Sequence, residues 1–140
     1  MLASRAVIGN KVVARYRDGR VVKGFTQDFL PNRPAFHLAP EEGPAAGKPV
    51  LVELAALKAV FFVKDLQGDP RRVDRHEFDP AKPVIGRKVR VVFTDGETIL
   101  GTTHGYQPGC PGFFLAPADP QSNADRCFVV TAATQAIELL

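Results

Sequence analysis

The chain repeats itself at a constant spacing of 77 residues. Residues 7–40 align with residues 84–117 without a gap, and 15 of these 34 positions are identical. The same spacing continues, with fewer identities, from residues 41–63 onto residues 118–140. A repeat of this kind predicts two similar structural units, each of about 57 residues. Because so small a unit is at the low end of what folds alone, we expect each to pack against the other or against a partner.

Composition indicates a turn-rich β protein without a membrane segment. The 140 residues include 12 Gly and 12 Pro, and 45% of the residues are hydrophobic, which is ordinary for a globular chain. No stretch approaches the roughly 18 apolar residues of a transmembrane helix, and the N-terminus lacks a secretory pattern. We therefore expect a cytoplasmic protein, or part of a larger cytoplasmic one, that does not bind membranes.

Alternating apolar and polar residues predict five short strands in each repeat. In Lys11–Arg17, for example, Val12, Ala14 and Tyr16 share one face, and the Asp18-Gly19 pair that follows is typical of a tight hairpin turn. The predicted strands are Lys11–Arg17, Arg20–Phe29, Ala35–Ala39, Val50–Leu54 and Ala59–Val63, then Lys88–Thr94, Glu97–Tyr106, Gly112–Ala116, Cys127–Thr131 and Ala136–Leu140. A glycine inside the second strand of each repeat, Gly24 and Gly101, predicts a bend or bulge there.

This plan of four strands, a single tight turn and a short closing strand resembles the small SH3-like or Sm-like barrel. The sequence therefore predicts an all-β fold of two tandem five-stranded barrels of this type, related by internal duplication. The first barrel would comprise residues 1–63 and the second residues 84–140. Residues 64–83 have no counterpart in either repeat and are interpreted as a connector.

The sequence offers no catalytic or metal-binding pattern. His104, Cys110 and Cys127 could meet in one unit, but their spacing does not match that of zinc motifs. Both cysteines lie in the second repeat only, which argues against a required disulfide. Glycine-rich phosphate loops are also absent from the sequence. We therefore predict a protein that is not an enzyme and that uses no cofactor or metal.

The first repeat is the basic part of the chain, with nine Lys and Arg against five Asp and Glu in residues 1–63. Arg15, Arg17, Arg20 and Lys23 flank its first hairpin and could contact phosphates. The surrounding DGRVVKGFTQDF resembles the start of the Sm-type first motif, with Asp28 at the position of its Asp. The Asn and the later Arg-Gly that Sm-type proteins use against RNA are missing here, so nucleic-acid binding is an alternative and not the first hypothesis.

The connector contains Arg71 and Arg75 in the RxxxR spacing of the PilZ-type cyclic-di-GMP motif. The second half of that motif, [D/N]xSxxG, is not found, because the nearest segment reads DGETILG. The segments FFVKD and PGFFLAPADP resemble uncharacterised bacterial proteins that sometimes accompany PilZ domains. That resemblance implies a companion in cyclic-di-GMP signalling, with Arg71 and Arg75 as candidate nucleotide contacts.

Apolar residues also fall on strand faces that the alternation assigns to solvent. They are Val13, Val21, Phe61, Val92, Leu100 and Phe114. Since they occur in both repeats, we expect them to be buried first of all between the two units, and otherwise in a dimer or against a protein partner. The first hypothesis is therefore a non-catalytic protein-interaction or regulatory module, with a protein partner or a second copy of the chain bound at this surface.

Overall fold

The computed structural model describes residues 9–69, 71, 74, 77–81 and 84–140. These residues contain ten strands and two single-turn 3₁₀ helices, Leu54–Ala56 and Thr131–Ala133. The strands are β1 (Asn10–Tyr16), β2 (Val21–Thr26), β3 (Ala35–Pro40), β4 (Val50–Glu53), β5 (Leu57–Val63), β6 (Arg87–Phe93), β7 (Thr98–Thr103), β8 (Gly112–Pro117), β9 (Ala124–Val130) and β10 (Thr134–Leu139). The predicted all-β fold is confirmed.

All ten strands belong to one antiparallel sheet with the order β10-β6-β7-β8-β9-β5-β1-β2-β3-β4. The strands of each repeat stay together, and among the described strands the two sets are paired through β5 and β9 alone. The order is linear, so the described pairings do not close the sheet into a barrel. Strands β4 and β10 lie at its two ends.

The two repeats share their local hydrogen bonds as well as their sequence. The Thr26 hydroxyl donates to the carbonyl oxygen of His37 at 2.8 Å, and 77 residues later the Thr103 hydroxyl donates to that of Phe114 at 2.7 Å. Backbone pairs that recur at the same spacing are Tyr16–Arg20 with Phe93–Glu97, Arg17–Ala56 with Thr94–Ala133, Glu41–Lys23 with Ala118–Leu100, and Leu54–Pro34 with Thr131–Pro111. Equivalent residues therefore adopt equivalent conformations in the two halves.

Both Asp-Gly pairs form the hairpin turns that the sequence predicts. Gly19 and Gly96 have φ angles of 98° and 92°, in the left-handed region where a side chain would be strained. Asp18 and Asp95 each accept the backbone N–H two residues later at 2.9 Å, which stabilises the turn.

The core consists of two apolar clusters on opposite faces of the β5·β9 ladder. Val60 and its partner Phe128 belong to the first cluster, whereas Ala59 and its partner Val129 belong to the second. Partners in a ladder share a face and neighbours along a strand alternate, so both faces of β5 and β9 are covered. Val52 of β4 packs in the same cluster as Val60, so the first five strands curl around it.

Gly24 and Gly101 are needed because the backbone of a neighbouring strand passes very close to them. The prediction of a β-bulge at these glycines is wrong. The β1·β2 and β6·β7 registers run through both glycines without a shift. A Cβ on Gly24 would overlap the carbonyl group of Ala39 on β3, and a Cβ on Gly101 would overlap that of Ala116 on β8. The backbone of the next strand therefore occupies the space that a side chain would need.

Strand β2 ends at Thr26, three residues before the predicted end at Phe29. One carboxylate oxygen of Asp28 accepts the backbone N–H of His37 at 2.8 Å, and the other lies 2.7 Å from Nδ1 of the same residue. This bond ties the chain that follows β2 to β3, and Phe29 packs against the first apolar cluster. Strand β7 ends at the equivalent residue, Thr103, although a glycine stands at the position of Asp28 in that half, so the bond is not what ends the strand.

Candidate interaction surfaces

The β5·β9 ladder is the contact that joins the two halves. Its register pairs Ala59 with Val129, Val60 with Phe128 and Phe61 with Cys127. Apart from Phe61, which is half-buried, these residues are at most 2% exposed. The halves are thus joined by backbone hydrogen bonds and by apolar packing on both faces.

An aromatic cluster covers one side of this junction. The Phe29 ring, from the first half, lies 5.9 Å from Phe114 and 5.2 Å from Phe128 of the second, between ring centroids and in edge-to-face geometry. The Arg126 guanidinium lies 4.3 Å above the Phe62 ring and 4.5 Å above the Phe114 ring. Because one cation contacts a ring from each half, this contact also holds the halves together.

A nearly buried lysine makes a second cross-junction contact. Nζ of Lys58, on β5, lies 2.7 Å from a carboxylate oxygen of Asp95 and also contacts Glu97 in the β6–β7 turn. The same ammonium lies 4.7 Å from the centre of the Phe93 ring. The hydrogen bond from Lys58, together with the Glu97 backbone N–H, lowers the pKa of Asp95 below its usual value of 3.8.

A cleft of about 760 Å³, here called the inter-repeat cleft, opens between the halves. Its apolar lining includes Val13, Val21, Phe61, Ile99 and Leu100. Its charged lining residues are Arg15, Lys23, Asp69, Asp74, Glu97 and Asp119. The basic side chains come from the first hairpin, and the acidic ones come from the connector and the second half. The cleft therefore combines an apolar surface with charged residues of both signs.

The structure divides the predicted nucleic-acid residues between different surroundings. Arg15 and Lys23 share the cleft face, and the Arg15 guanidinium lies 5.4 Å from the centre of the Phe61 ring. Arg20 instead pairs with Asp18 in the turn at 2.9 Å, and Arg17 is exposed just after β1. Cross-strand pairing explains the split, because it aligns residues 13, 15, 21 and 23 on one face.

The predicted interface residues fall into three groups. Val13, Val21, Phe61 and Leu100 line the inter-repeat cleft. Phe114 belongs to the aromatic cluster at the junction. Val92 is half-buried on β6 and does not line the cleft.

Of the two candidate cyclic-di-GMP arginines, only Arg71 can be located. Its exposed side chain contacts Asp69 at 3.4 Å. Arg75 lies outside the described residues.

Within the described part of the chain, no three His, Cys, Asp or Glu side chains are grouped so as to hold a metal ion. Cys110 and Cys127 are free thiols, and burial raises the pKa of the Cys127 thiol.

A second concavity of about 720 Å³ has His104, Phe113 and Arg126 in its lining. Among the same described residues, no helix is long and apolar enough to cross a membrane.

Sequence reasoning did not identify Lys58, Arg126 or Phe29 as residues of the junction. The first two differ from their counterparts in the other repeat, where Lys58 corresponds to Gln135 and Arg126 to Pro49. This difference between counterparts was the signal available in the sequence. Where only one of two similar units makes a contact, the residue that makes it is free to differ from its counterpart in the other unit.

The fold and its contacts define an all-β protein with a junction between repeated halves and a cleft beside it. A family model covers residues 8–140, and the chain belongs to that family, which is described as a family of unknown function (DUF6982). Comparisons with curated proteins and with solved structures gave no match.

Proposed function

We propose that this protein is a non-catalytic interaction module that binds an extended segment of a partner protein in the inter-repeat cleft. The observation that carries the proposal is the combination of an apolar surface with basic residues from the first half and acidic residues from the connector and the second half. A segment with apolar side chains flanked by charges of both signs would complement this lining.

The repeated hydrogen bonds support the view that the two halves arose by duplication of one small barrel-type unit. In each half, five strands include a curved set around one apolar cluster, and a single 3₁₀ turn precedes the last strand. Under this proposal the cleft is a product of the duplication, because it needs a face from each unit.

The charges of the cleft favour a protein over a nucleic acid. A nucleic-acid groove is lined by a surplus of Lys and Arg that neutralises phosphates. Here the charged lining consists of two basic residues, Arg15 and Lys23, and four acidic ones from the connector and the second half. Two of the acids are paired with cations, Glu97 with Lys58 and Asp69 with Arg71. The described lining therefore lacks the surplus of Lys and Arg that a nucleic-acid groove needs.

Selection of binding peptides from a random display library tests the proposal. We expect the wild-type chain to enrich peptides that combine apolar residues with charges of both signs. Val21→Glu, on the cleft, should weaken their binding by about tenfold or more, because it places a charge on the apolar surface. Ile85→Glu is the control, since Ile85 is also an exposed apolar residue and lies outside the cleft.

Failure to enrich peptides, or equal binding by Val21→Glu, would contradict the proposal. Fluorescence anisotropy with single-stranded RNA and duplex DNA tests the alternative. Binding that weakens steeply with salt and is lost on replacing Arg15 and Lys23 with Ala would assign the cleft to nucleic acid instead.

A further inference from the structure

The two end strands of the sheet, β4 and β10, are the counterparts of the two strands that form the internal junction. Adding 77 to the residues of β4 gives residues of β9, and adding 77 to those of β5 gives residues of β10. In the described chain β5 and β9 pair with each other, whereas β4 and β10 each have a neighbour on one side only. The same pair of complementary edges is therefore joined once inside the chain and left open at its ends.

Exposure of equivalent side chains shows what the open edges lack. Phe128 of β9 is 2% exposed, whereas its counterpart on β4, Leu51, is 57% exposed. Phe62 of β5 is 5% exposed, whereas its counterpart on β10, Leu139, is 38% exposed. Each end strand thus presents to solvent an apolar residue whose counterpart is buried at the internal junction.

We propose that copies of this chain assemble head to tail, with β10 of one copy pairing antiparallel with β4 of the next. The proposal rests on the equivalence of the two repeats and is independent of the ligand of the cleft. Transferring the internal register by 77 residues gives the expected pairs Ala136 with Val52, Ile137 with Leu51 and Glu138 with Val50 of the next copy.

In the second half, an aromatic ring stands at the position where Leu51 of the next copy would pack. At the junction, Phe128 packs against the Phe29 ring at 5.2 Å. Tyr106 holds the position of Phe29 in the second half, with its ring 4.9 Å from that of Phe113. Leu51 of the next copy would meet Tyr106 as Phe128 meets Phe29, which would extend the second apolar cluster across the contact.

A second copy of the chain is favoured over an unrelated strand by the form of both edges. Exposed edge strands are normally protected by charges, prolines or bulges. At β4, the first two residues, Val50 and Leu51, are uncharged and exposed. The same molecule carries the complementary edge, because β10 is the counterpart of β5, which pairs with β9, the counterpart of β4. A contact between two different edges of one molecule is heterologous, which is the head-to-tail arrangement.

The contact between copies would be weaker than the junction inside the chain. Pro49 stands where the junction has Arg126, so the stacked cation and one backbone N–H are lost. Gln135 stands where the junction has Lys58, so the buried ammonium is replaced by a neutral amide. We therefore expect an assembly that dissociates on dilution.

Sedimentation velocity over a wide range of protein concentrations measures this assembly. We expect the wild-type chain to shift from monomer to larger species as concentration rises, either as a closed ring or as an open series, because both follow from a head-to-tail contact. Leu51→Glu on β4 and Leu139→Glu on β10 should each remain monomeric. Ile85→Glu is the control, since Ile85 is 73% exposed but lies on neither edge strand.

Mixing the two edge variants tests the polarity of the contact. Leu51→Glu keeps an intact β10 and Leu139→Glu keeps an intact β4, so an equimolar mixture should form a one-to-one dimer and stop there. Formation of that dimer also shows that both variants are folded. A wild-type chain that stays monomeric, assembly that survives in either variant alone, or a mixture that stays monomeric although wild type assembles would each overturn the proposal.

Measuring peptide binding by the same variants distinguishes the proposed cleft ligand from the proposed assembly. Leu51→Glu and Leu139→Glu change the edges and leave the cleft lining intact. If peptides bind these variants while assembly is lost, both proposals stand. If assembly occurs and no peptide binds, the head-to-tail contact stands and the proposed ligand of the cleft is wrong.

Discussion

Gly24 and Gly101 illustrate how one residue can fix the path of a neighbouring strand. Each lies where the next strand crosses so closely that its backbone carbonyl fills the position of a Cβ. Neither glycine has a φ in the left-handed region, so backbone strain is not the reason for it. The requirement is for space, and it applies equally in both halves.

We expect Gly24→Ala to lower the free energy of unfolding by about 3 kcal/mol, at the upper end of the usual cost of overpacking, because the clash is with backbone. Urea denaturation followed by circular dichroism measures the change. Gly105→Ala is the matched control, since Gly105 is exposed and a Cβ there meets nothing within 4 Å. Equal stabilities for the two variants would contradict the close approach.

The ionisation of Asp95 should make the free energy of unfolding depend on pH. Its pKa is lowered in the folded protein, chiefly by the hydrogen bond from Lys58. The stability that its ionised form contributes is therefore fully present above pH 3.8 and is lost as the pH falls through the folded-state pKa.

We expect Asp95→Asn to be less stable than wild type at neutral pH, and the difference to shrink as the pH falls below about 4. Denaturation curves collected at a series of pH values measure it. Glu42→Gln, in an exposed loop, serves as a control for the loss of one carboxylate. A difference that stays constant down to acidic pH would contradict the role of the Lys58 contact.

At the scale of the strands, the sequence was informative wherever the signal was local. The two-residue alternation located all ten strands, and β3 and β4 begin at the predicted residues, Ala35 and Val50. Alternation was also right about Val12 and Ala14, which are fully buried. Local patterns suffice here because a strand with one buried face must alternate.

The sequence was less informative where a contact joins distant segments. Strands β2 and β7 both end at a threonine, Thr26 or Thr103, whose hydroxyl binds a carbonyl oxygen 11 residues away. The ammonium of the buried Lys58 likewise binds acids 37 and 39 residues away. Alternation says which face of a strand is covered but not by which strand. The pairing of β5 with β9 therefore could not be predicted, and neither could the cleft beside it.

Replacing Phe29 measures how much the aromatic cluster contributes to the free energy of unfolding. Its ring contacts Phe36, Phe62, Phe114 and Phe128. We expect Phe29→Ala to lower the free energy of unfolding by about 3 kcal/mol, within the range for loss of a packed phenylalanine. Chemical denaturation at low protein concentration measures it.

Tyr106→Ala is the matched control for Phe29→Ala, because Tyr106 holds the equivalent position. Its ring contact in the described structure is with Phe113. Its truncation should therefore cost less than that of Phe29. A larger loss for Tyr106→Ala would show that the cluster does not depend on contacts from both halves.

At the scale of the whole molecule, neither half completes its own core. Phe128 and Val130, from the second half, belong to the first cluster, and Ala59, from the first half, belongs to the second. Unfolding one half would therefore expose apolar surface of the other, which couples the two halves energetically.

We expect differential scanning calorimetry of the chain to show a single transition in which the calorimetric and van't Hoff enthalpies agree. The reason is that the shared clusters prevent one half from unfolding alone. Two separate transitions, or a calorimetric enthalpy well above the van't Hoff value, would show that the halves are independent domains.

The connector between β5 and β6 has a consequence for how the protein responds to its own abundance. Because the connector tethers the halves, the internal junction forms within one molecule, and its formation does not depend on the amount of protein present. The proposed contact between copies has no tether, so its occupancy follows the amount of free chain. The β5·β9 contact inside the molecule would then be independent of protein concentration, whereas the equivalent β10·β4 contact between molecules would depend on it. The size of the assembly would therefore report how much of the protein is present.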